Sequence, residues 1–499
     1  MGERLARGAA LLSFGSLFSL FLSAAGSIVV ARELGPAQYG LVTIAMIMPN
    51  FLFVLLDFGL LVAMTRYASM GRLEAVSTAT VLRVLLALIA GLANFSLAPF
   101  FASLIGRPEI VDLVRLLSLF AVTHFLFSSA NYTLVGMGRY AESVLANVLF
   151  TSLKVLLAIA LVLAGYGVFG ALLAHVIAGL LVHVPTFLRA LLLLGSLRFS
   201  PLAMRELLLY SVPLYLPYLI SAPLVQLYYS FMVSVSSNEE VGNLSVAYNF
   251  LAPLNALGSA LSASVLSVLP SLATREELER IVRNALKLTS LLLPSLSLGL
   301  VLLSQPLVAL LYGERYQLAP LLLSVYMVGY LLAPLGSLLW QPYFASLGRG
   351  TVVLKAYLIQ YVLAAPLYLG LTYAAGVLGY VAAGILASAL STLYMLRSVE
   401  ISLRMRDNLR AMSPPLLSFT TSLPLPLLLQ GPAGWVLAAS LYALVLSLTV
   451  PVLAGEDLMR GLNRTFARIG VLGPFLSLLA SLDLLIASKV WGIEEEGRS

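Results

Sequence analysis

The sequence contains no cysteine and very little charge. Because cysteine is absent, disulfide bonds, thiolate nucleophiles and cysteine-ligated metal sites are excluded. Charged residues make up 10% of the 499 residues, whereas a soluble globular domain carries about a quarter. The few histidines are scattered within predicted helices, which favours satisfied core side chains over a metal site; they are His124, His175 and His183. We therefore expect neither a metal nor a cofactor.

Long apolar runs take the place of the missing charge, since 60% of the residues are hydrophobic. A run of about 18 apolar residues is long enough to cross the roughly 30 Å hydrocarbon core of a bilayer as a helix. The sequence therefore predicts an all-α polytopic membrane protein with about fourteen transmembrane helices. The predicted spans are 9–31, 41–65, 76–98, 111–131, 142–164, 167–187, 207–235, 242–268, 284–304, 318–342, 352–373, 376–396, 412–430 and 432–454. The first run is too long for a signal-peptide core, so we expect it to be retained.

The Lys and Arg residues are distributed unevenly between the two sides of the membrane that these spans define. With a cytoplasmic N-terminus, 23 of the 29 lie on the inner side and only Arg32, Arg107 and Arg315 on the outer side. The positive-inside rule then places both termini in the cytoplasm, and we expect a multi-pass protein of the plasma membrane. The same asymmetry accounts for the basic excess, so nucleic acid is not an expected partner.

The sequence repeats itself at a nearly constant spacing. YGLVTIA at 39–45 resembles VGNLSVA at 241–247, Gly138-Arg139 matches Gly348-Arg349, and GVFG at 167–170 matches GVLG at 376–379. The offsets run from 202 to 210 and always join equivalent predicted helices. Six helices is an even number, so both copies share one orientation in the membrane. Two such lobes enclose a cleft that a rocking motion can open to either side.

This repeat divides the chain into four predicted parts. An N-terminal lobe at 1–200 holds helices 1–6, a C-terminal lobe at 201–398 holds helices 7–12, helices 13 and 14 occupy 399–455, and 456–499 form a cytoplasmic or interfacial tail. Within the tail, Pro474 and Asp483 favour an interfacial helix at 470–488 over a fifteenth span. The paired lobes indicate a transporter that works by alternating access, and we expect a functional monomer.

A short polar segment, ARELGPAQYG at 31–40, joins the first two predicted helices. Gly35-Pro36 ends the first helix, because Pro lacks the amide hydrogen and Gly relaxes the backbone. Tyr39 suits the interface between water and lipid, and Gly40 opens the second helix where a side chain would crowd its neighbour. Taken alone, each residue is explained by an ordinary interfacial turn.

As a string, the segment fits the pattern Arg-x-Leu-Gly-Pro-x-x-Tyr-Gly through Arg32, Leu34, Gly35, Pro36, Tyr39 and Gly40. It resembles the segment after the first helix of the polysaccharide flippases (Wzx-like O-antigen and lipid-linked oligosaccharide translocases) of the multidrug/oligosaccharidyl-lipid/polysaccharide exporter superfamily. Similar segments are DFGL at 57–60, LYSVPLYLPYL at 209–219 and PLVALLYGERYQLAPLLL at 306–323. The resemblance implies a MATE-like fold, with two pseudo-symmetric six-helix lobes in parallel orientation plus two extra C-terminal helices.

The resemblance also implies a substrate, a lipid-linked (polyprenyl diphosphate) oligosaccharide that is flipped from the cytoplasmic to the outer leaflet. Whether a coupling ion drives transport stays open, because relatives often carry an acidic residue late in helix 7, and this chain has Gln226 near that place. Gln226, Tyr228, Asn249 and Asn255 lie on helices 7 and 8 and are candidates to hydrogen-bond sugar hydroxyls. Hydrogen bonds between helices explain these side chains equally well.

Ionisable residues at bilayer depth cost several kcal/mol when they face lipid, so they usually face a cavity or each other. Lys154 lies near the middle of helix 5, while Arg83 and Arg115 lie within helices 3 and 4. With Asp57 of helix 2 as a charge partner, these residues make the first lobe basic. We predict a cationic cavity in which Lys154, Arg83 and Arg115 bind a diphosphate. For Arg83 and Arg115, snorkelling to the interface is the alternative.

Two other functions compete with this prediction. A multidrug/cation antiporter of the same superfamily should prefer acidic and aromatic residues in its cavity, whereas the first lobe is basic. A membrane glycosyltransferase or polymerase of the same pathway generally needs a large outer loop with catalytic acids. The outer loops are short here, and Glu239-Glu240 are the only adjacent acids within them. We therefore predict a transporter and not an enzyme.

Overall fold

The computed structural model describes residues 2–258, 274–403, 405–429, 431–450 and 453, which contain no β-strand. Its α-helices are α1 (Gly2–Ala45), α2 (Ile47–Leu55), α3 (Leu60–Ser69), α4 (Leu73–Ser96), α5 (Ala98–Leu104), α6 (Val111–Gly136), α7 (Tyr140–Leu161), α8 (Gly167–Ala178), α9 (Val184–Leu194), α10 (Pro201–Val235), α11 (Asn238–Asn249), α12 (Arg275–Leu302), α13 (Ser304–Tyr312), α14 (Ala319–Val328), α15 (Trp340–Ser346), α16 (Gly350–Tyr357), α17 (Ala365–Arg397), α18 (Met405–Ser422), α19 (Pro424–Leu428) and α20 (Pro432–Thr449). A further helical stretch lies at 251–258. Short 3₁₀ turns lie at Pro108–Ile110 and Gly329–Leu335, and π-helical turns lie at Val162–Tyr166, Gly179–His183 and Leu358–Leu363. The predicted tail, including 470–488, lies outside the described residues.

Apolar helices confirm the predicted class, an all-α multi-pass membrane protein. Within the described residues, eight helical segments are long and apolar enough to cross a membrane, or nine if one bent pair counts as a span. The predicted count of fourteen is not confirmed. Three segments, Leu11–Leu55, Tyr140–Leu194 and Gly350–Arg397, hold 45, 55 and 48 residues. A straight helix of 45 residues would measure about 68 Å, more than twice the bilayer core.

Glycines break these three long segments where the sequence predicts a connection between spans. Gly35 has φ 74° and ψ 171°, Gly165 has φ 89°, and Gly376 has φ 53° and ψ −131°. A positive φ is disfavoured for residues with a Cβ, so glycine is suited to these positions. Each long segment therefore contains two helical stretches that are joined almost without a loop.

The DFGL segment corrects the prediction that 41–65 is one continuous helix. Between α2 and α3, Phe58 has φ 49° and Gly59 has φ 71°. Two successive residues in the left-handed region end a right-handed helix. The Asp57 carboxylate accepts a hydrogen bond from the Gly59 N–H at 3.1 Å, which satisfies a main-chain donor at the start of α3.

The helices form two compact units. The first unit comprises Met1–Asn249, Leu311–Gln317 and Tyr368–Tyr380, and the second comprises Phe250–Leu310, Leu318–Leu367 and Val381–Ser499. In the first unit, α1 packs closely on α7 because Gly15 and Gly26 leave room for Val144 and Val155. In the second unit, α12, α15, α16 and α17 share a core around Leu286, Trp340, Phe344, Val353 and Met395. Helices α18 and α20 also pack on α12, where the Tyr442 hydroxyl donates to the Ser295 carbonyl at 2.6 Å.

Backbone angles repeat together with the sequence. Gly138 and Gly348 have φ values of 74° and 69°, and the arginines that follow them have φ/ψ of −87°/53° and −86°/52°. Gly167 and Gly376 also agree, with φ/ψ of 54°/−137° and 53°/−131°. The matched segments are therefore equivalent turns, which supports the internal repeat as a structural duplication.

Equivalent residues of the two repeats contact each other within the first unit, between the end of α1 and α11. A Cβ on Gly40 would lie 2.0 Å from the Asn238 carbonyl oxygen, and a Cβ on Gly242 would lie 1.9 Å from the Pro36 carbonyl oxygen. Three residues beyond these glycines, the Ser245 hydroxyl donates to the Thr43 hydroxyl at 3.0 Å. Contact between equivalent residues of two copies is the mark of a twofold axis. The segments around Gly40 and Gly242 are therefore related by a local pseudo-twofold axis within the first unit.

Gly40→Ala tests the close contact between the end of α1 and α11. The added methyl group meets a main-chain oxygen that cannot move independently, so the two segments must separate. We expect the variant to lose about 1–3 kcal/mol of stability, measured as a lower thermal unfolding temperature in detergent. Gly370→Ala is the matched control, because a Cβ at that helical position meets nothing within 4 Å. An unchanged unfolding temperature for Gly40→Ala would contradict this close contact.

Candidate functional site

A buried ion pair joins α4 to the break before α3. Arg83 Nη1 donates to Asp57 Oδ1 at 2.9 Å, and the Arg83 side chain is fully buried. Its Nε donates to Ser129 Oγ at 3.1 Å and its Nη2 to Ser128 Oγ at 2.7 Å. The guanidinium also lies 4.6 Å from the ring centroid of Phe125. A buried ion pair persists when its remaining hydrogen bonds are satisfied in this way, because each unpaired ion costs several kcal/mol to desolvate.

The other predicted anion-binding arginine lies elsewhere in the first unit. Arg115 is about 39% exposed, its Nη1 lies 3.7 Å from the exposed carboxylate of Asp112, and its guanidinium lies over the Phe95 ring. Neither Arg83 nor Arg115 lines the cavity that contains Lys154. The structure therefore does not bring the three predicted cations together.

Lys154 lines a cavity of 220 Å³ between α1, α7, α8 and α11. Its side chain is half-buried and forms no ion pair with any described residue. The Nζ atom lies 5.7 Å from the ring centroid of Phe150. Polar neighbours in the cavity wall are Ser23, Ser27, Tyr39, His175 and Asn249, and the remaining wall is apolar. The cavity therefore presents one cation whose charge is not neutralised by any group among the described residues.

Asn249 connects this cavity to three hydroxyl groups. Its Nδ2 lies 3.3 Å from the hydroxyl oxygens of Tyr39 and Tyr312 and 3.4 Å from Ser27 Oγ. Asn249 was predicted as a polar contact and Tyr39 as part of the family pattern. Ser27 and Tyr312 were not singled out, although Tyr312 lies within the segment 306–323. Together with Lys154, these neutral groups suit an anion that also accepts hydrogen bonds.

The other predicted sugar contacts do not line the cavity. Gln226 is half-buried on α10, and Tyr228 stacks on Tyr368 with ring centroids 4.4 Å apart. Asn255 belongs to the second unit, where its Oδ1 accepts a hydrogen bond from the Tyr330 hydroxyl at 2.8 Å. Of the four predicted residues, Asn249 alone lies beside Lys154.

Two segments that resemble the flippase pattern contact each other in the first unit. The Tyr316 hydroxyl donates to the Ala31 carbonyl at 2.7 Å, and the Arg315 guanidinium donates to the Arg32 carbonyl. A Cβ on Gly35 would lie 3.1 Å from the Arg315 guanidinium. The segments 31–40 and 311–317 therefore form one joint, and the turn between the first two helices is part of it.

A second polar joint ties the start of α10 to the connection before α4. Arg72 donates to both carboxylate oxygens of Glu206, with Nη2 2.7 Å from Oε2, and the Tyr67 hydroxyl donates to the same carboxylate. The hydrogen bonds from Arg72 lower the pKa of Glu206, so the pair stays charged at neutral pH. Exposed ion pairs contribute little stability, so this contact fixes the position of α10 more than it stabilises the fold.

His124 and His183 correct the prediction of satisfied core side chains, whereas His175 confirms it, because its Nδ1 lies 3.0 Å from the Ala171 carbonyl oxygen. His183 is fully buried, and neither of its ring nitrogens has a hydrogen-bond partner in the described residues; the same is true of His124 Nδ1. The His183 ring lies between Phe127 and Phe150, with centroid distances of 4.3 Å and 4.2 Å. Aromatic packing rather than hydrogen bonding holds these rings. Within the described residues, no cluster of three His, Cys, Asp or Glu could hold a metal ion.

Comparison with known proteins identifies relatives of this chain. The family described as "Polysaccharide biosynthesis protein" (Polysacc_synt_3) matches residues 29–319. The chain is similar to the succinoglycan biosynthesis transport protein ExoT of Rhizobium meliloti (strain 1021), with 25% identity over 341 residues. This match covers 65% of the chain and 66% of the relative, slightly less than two thirds of the relative's length.

Solved structures share the fold. The lipid II flippase MurJ in an inward closed conformation matches 90% of this chain and 100% of its own, with a TM-score of 0.76 and 17% identity. An inward-facing multidrug resistance MATE family transporter of the MOP superfamily matches 79% of this chain and 95% of its own, with a TM-score of 0.62 and 19% identity. The predicted MATE-like fold is confirmed.

Asp57→Asn tests the buried pair. The variant keeps the shape of the side chain but leaves Arg83 buried without a counter-ion, and we expect a loss of about 3–5 kcal/mol. Arg83→Met combined with Asp57→Asn removes both charges and should cost less than the two single losses added together. Thermal unfolding of the single and double variants in detergent measures this coupling. Strictly additive losses would show that the two side chains do not interact.

Proposed function

Because the chain belongs to the polysaccharide biosynthesis protein family, we propose that it flips a lipid-diphosphate-linked oligosaccharide from the cytoplasmic to the outer leaflet of the membrane. The observation that carries this proposal is Lys154, a cation without an ion-pair partner among the described residues that lines a membrane-buried cavity. A charge in this position is expensive to keep unless it serves a ligand or a transport pathway. Transport of succinoglycan by the relative and of lipid II by the structural neighbour supports the same substrate class.

Lys154 binds a phosphate oxygen of the headgroup in this mechanism. An ammonium group acts as a compact point charge and attracts a diphosphate strongly where water is scarce. Asn249, Tyr39 and Ser27 line the same cavity and supply neutral hydrogen-bonding groups around that charge. The polyprenyl tail stays in lipid. Arg83 and Asp57 act indirectly, since their ion pair holds the start of α3 against α4.

The transport cycle that we propose rests on the duplicated fold. The lobes at 1–200 and 201–398 rock about the pseudo-twofold axis and open the cleft between them to one side and then to the other. The protein works as a monomer in the plasma membrane with both termini in the cytoplasm. A coupling ion supplies the direction of transport.

A cation antiporter of the same superfamily is the second candidate, because MATE transporters share the fold. Lys154 argues against it, since an unpaired ammonium group repels a cationic drug. A transporter also fits the described side chains better than an enzyme does, because Lys154 is surrounded by neutral groups and by no carboxylate that could serve as a general acid or base.

Lys154→Ala tests the proposed headgroup contact. In proteoliposomes that contain a fluorescent lipid-diphosphate sugar, we expect the flipping rate at subsaturating substrate to fall by roughly 10- to 100-fold. This is the effect of removing a hydrogen bond to a charged group, about 1.5–3 kcal/mol. Arg115→Ala is the matched control, because it removes one cation of the same unit from outside the cavity. Equal rates for Lys154→Ala and the wild type would refute the headgroup role of Lys154.

The absence of cysteine allows a direct test of orientation. In an otherwise unchanged chain, Glu109→Cys places a thiol on a predicted outer connection and Ser196→Cys places one on a predicted inner connection, and both positions are exposed. A membrane-impermeant maleimide should label Glu109→Cys in intact cells and Ser196→Cys only after lysis. The wild type, which has no thiol, gives the background signal. Labelling of Ser196→Cys in intact cells would invert the proposed topology.

A further inference from the structure

A second cavity, of 210 Å³, lies within the second unit. It is bounded by the residues before and at the start of α15, by α16, by the π-helical turn Leu358–Leu363 and by the last turns of α17. Uncharged polar side chains face it, namely Ser337, Gln341, Gln360, Ser388, Ser391 and Thr392. None of its lining residues, all of them described, is Lys, Arg, His, Asp or Glu. The cavity is therefore polar but neutral.

Several of these polar groups have no hydrogen-bond partner among the described residues. Ser391 and Thr392 are 3% and 1% exposed, and their hydroxyls bond to no described group; the Gln360 amide also has no partner. Their polar atoms are not among those sealed away from solvent, so they face the cavity. Bonds between helices consequently do not explain these side chains. Because buried polar groups are almost always hydrogen-bonded, these groups need partners inside the cavity, which water or a ligand that both donates and accepts hydrogen bonds can supply.

In the first repeat, the positions equivalent to this cavity are occupied by packed rings. The Gly-Arg match and the GVFG/GVLG match, with offsets of 210 and 209, make Phe150 the equivalent of Gln360 and His183 the equivalent of Thr392. In the first unit, the Phe150 and His183 rings pack against each other with their centroids 4.2 Å apart. The second repeat carries two shorter polar side chains at these positions. The cavity is therefore a departure of one repeat from the other and not a general feature of the duplicated fold.

Local backbone geometry also distinguishes the cavity of the second repeat. Gln360 and Tyr361 lie in the π-helical turn, and π-helical turns inside α-helices occur frequently at functional sites. The cavity lies in those halves of the predicted spans 352–373 and 376–396 that are nearer to Arg349 and Arg397. These halves are on the side predicted to be cytoplasmic, where a substrate made inside the cell first meets the protein.

We propose that this cavity binds one uncharged hexose ring of the substrate glycan, a step that rests on the proposed flippase function. Sugar hydroxyls both donate and accept hydrogen bonds, as do amide and hydroxyl side chains. A phosphate would lie there without any counter-charge, and a lipid tail would leave the polar groups unsatisfied. The volume is below the roughly 300 Å³ at which drug-sized pockets begin, so it suits one ring and not an oligosaccharide.

The first test probes the cavity without lipid. Saturation-transfer NMR on the full chain in nanodiscs uses the methyl glycosides of glucose, galactose and mannose as probes. We expect binding of at least one glycoside to the wild type. Gln360→Phe combined with Thr392→His copies the first repeat, fills the cavity and should abolish binding. Gln360→Leu combined with Thr392→Val removes the hydrogen-bonding groups at nearly constant volume and should weaken binding by about 3- to 10-fold.

Thr289→Val is the matched control in the same unit. The Thr289 hydroxyl bonds to carbonyls of its own helix, and Thr289 does not line the cavity, so this variant should bind as the wild type does. Thermal unfolding checks that each variant is folded. If no glycoside binds to the wild type, or if binding survives when the cavity is filled, the sugar site is refuted.

The second test separates this inference from the proposed function. It compares the affinity for polyprenyl diphosphate with the affinity for hexosyl polyprenyl diphosphate. The wild type should prefer the hexosyl lipid by about 3- to 10-fold, and the Gln360→Leu, Thr392→Val variant should lose that preference. Lys154→Ala should weaken both lipids equally. Equal binding of the two lipids by the wild type refutes the sugar site alone, whereas normal binding of both lipids by Lys154→Ala refutes the headgroup mechanism.

Discussion

The cost of placing charge at membrane depth governs the interior of the first unit. Arg83 is fully buried, and its ion pair with Asp57 keeps its guanidinium from being an uncompensated cation in a medium of low polarity. The helix break at 56–59 brings the Asp57 carboxylate to Arg83 and to the Gly59 amide together. Because this pair neutralises itself, it leaves Lys154 as the cation that lines the cavity of this unit without an ion-pair partner among the described residues.

Features that depend on composition and periodicity could be predicted from the sequence. Apolar run length predicts the helical membrane class, and the Gly-Arg and GVFG/GVLG matches identify turns whose backbone angles agree within a few degrees. The pattern 31–40 and the segment 306–323 were recognised separately. Their contact through Arg315 and Tyr316 could not be foreseen, because it joins residues about 283 positions apart through side-chain-to-backbone hydrogen bonds.

The environment of the side chains in the site could not be predicted from the sequence. Position within a span marks Lys154, Arg83 and Arg115 alike, and only packing distinguishes an enclosed ion pair, a half-exposed arginine and a cation that lines a cavity. Likewise, nothing in the sequence marks Gln360 or Thr392, because a hydroxyl or amide that lacks a partner looks the same as one that bonds to its own helix. The left-handed angle of Phe58 also depends on tertiary contacts, so the break in the second predicted span was missed.

Duplication has preserved the backbone of the two repeats while their side chains diverged in chemistry. At the positions of Phe150 and His183 one copy holds packed rings, and the other holds the neutral polar side chains of Gln360 and Thr392. The division of labour that we propose, with the headgroup bound in one lobe and a sugar ring in the other, rests on this divergence.

Arg315 and Tyr316 grip carbonyl oxygens of Ala31 and Arg32 and not their side chains. Arg315 and Tyr316 thus recognise the main chain, and substitution of Ala31 or Arg32 during evolution would leave this contact in place. Gly35 is more restricted, since its φ of 74° is disfavoured for residues with a Cβ and a Cβ there would lie 3.1 Å from the Arg315 guanidinium.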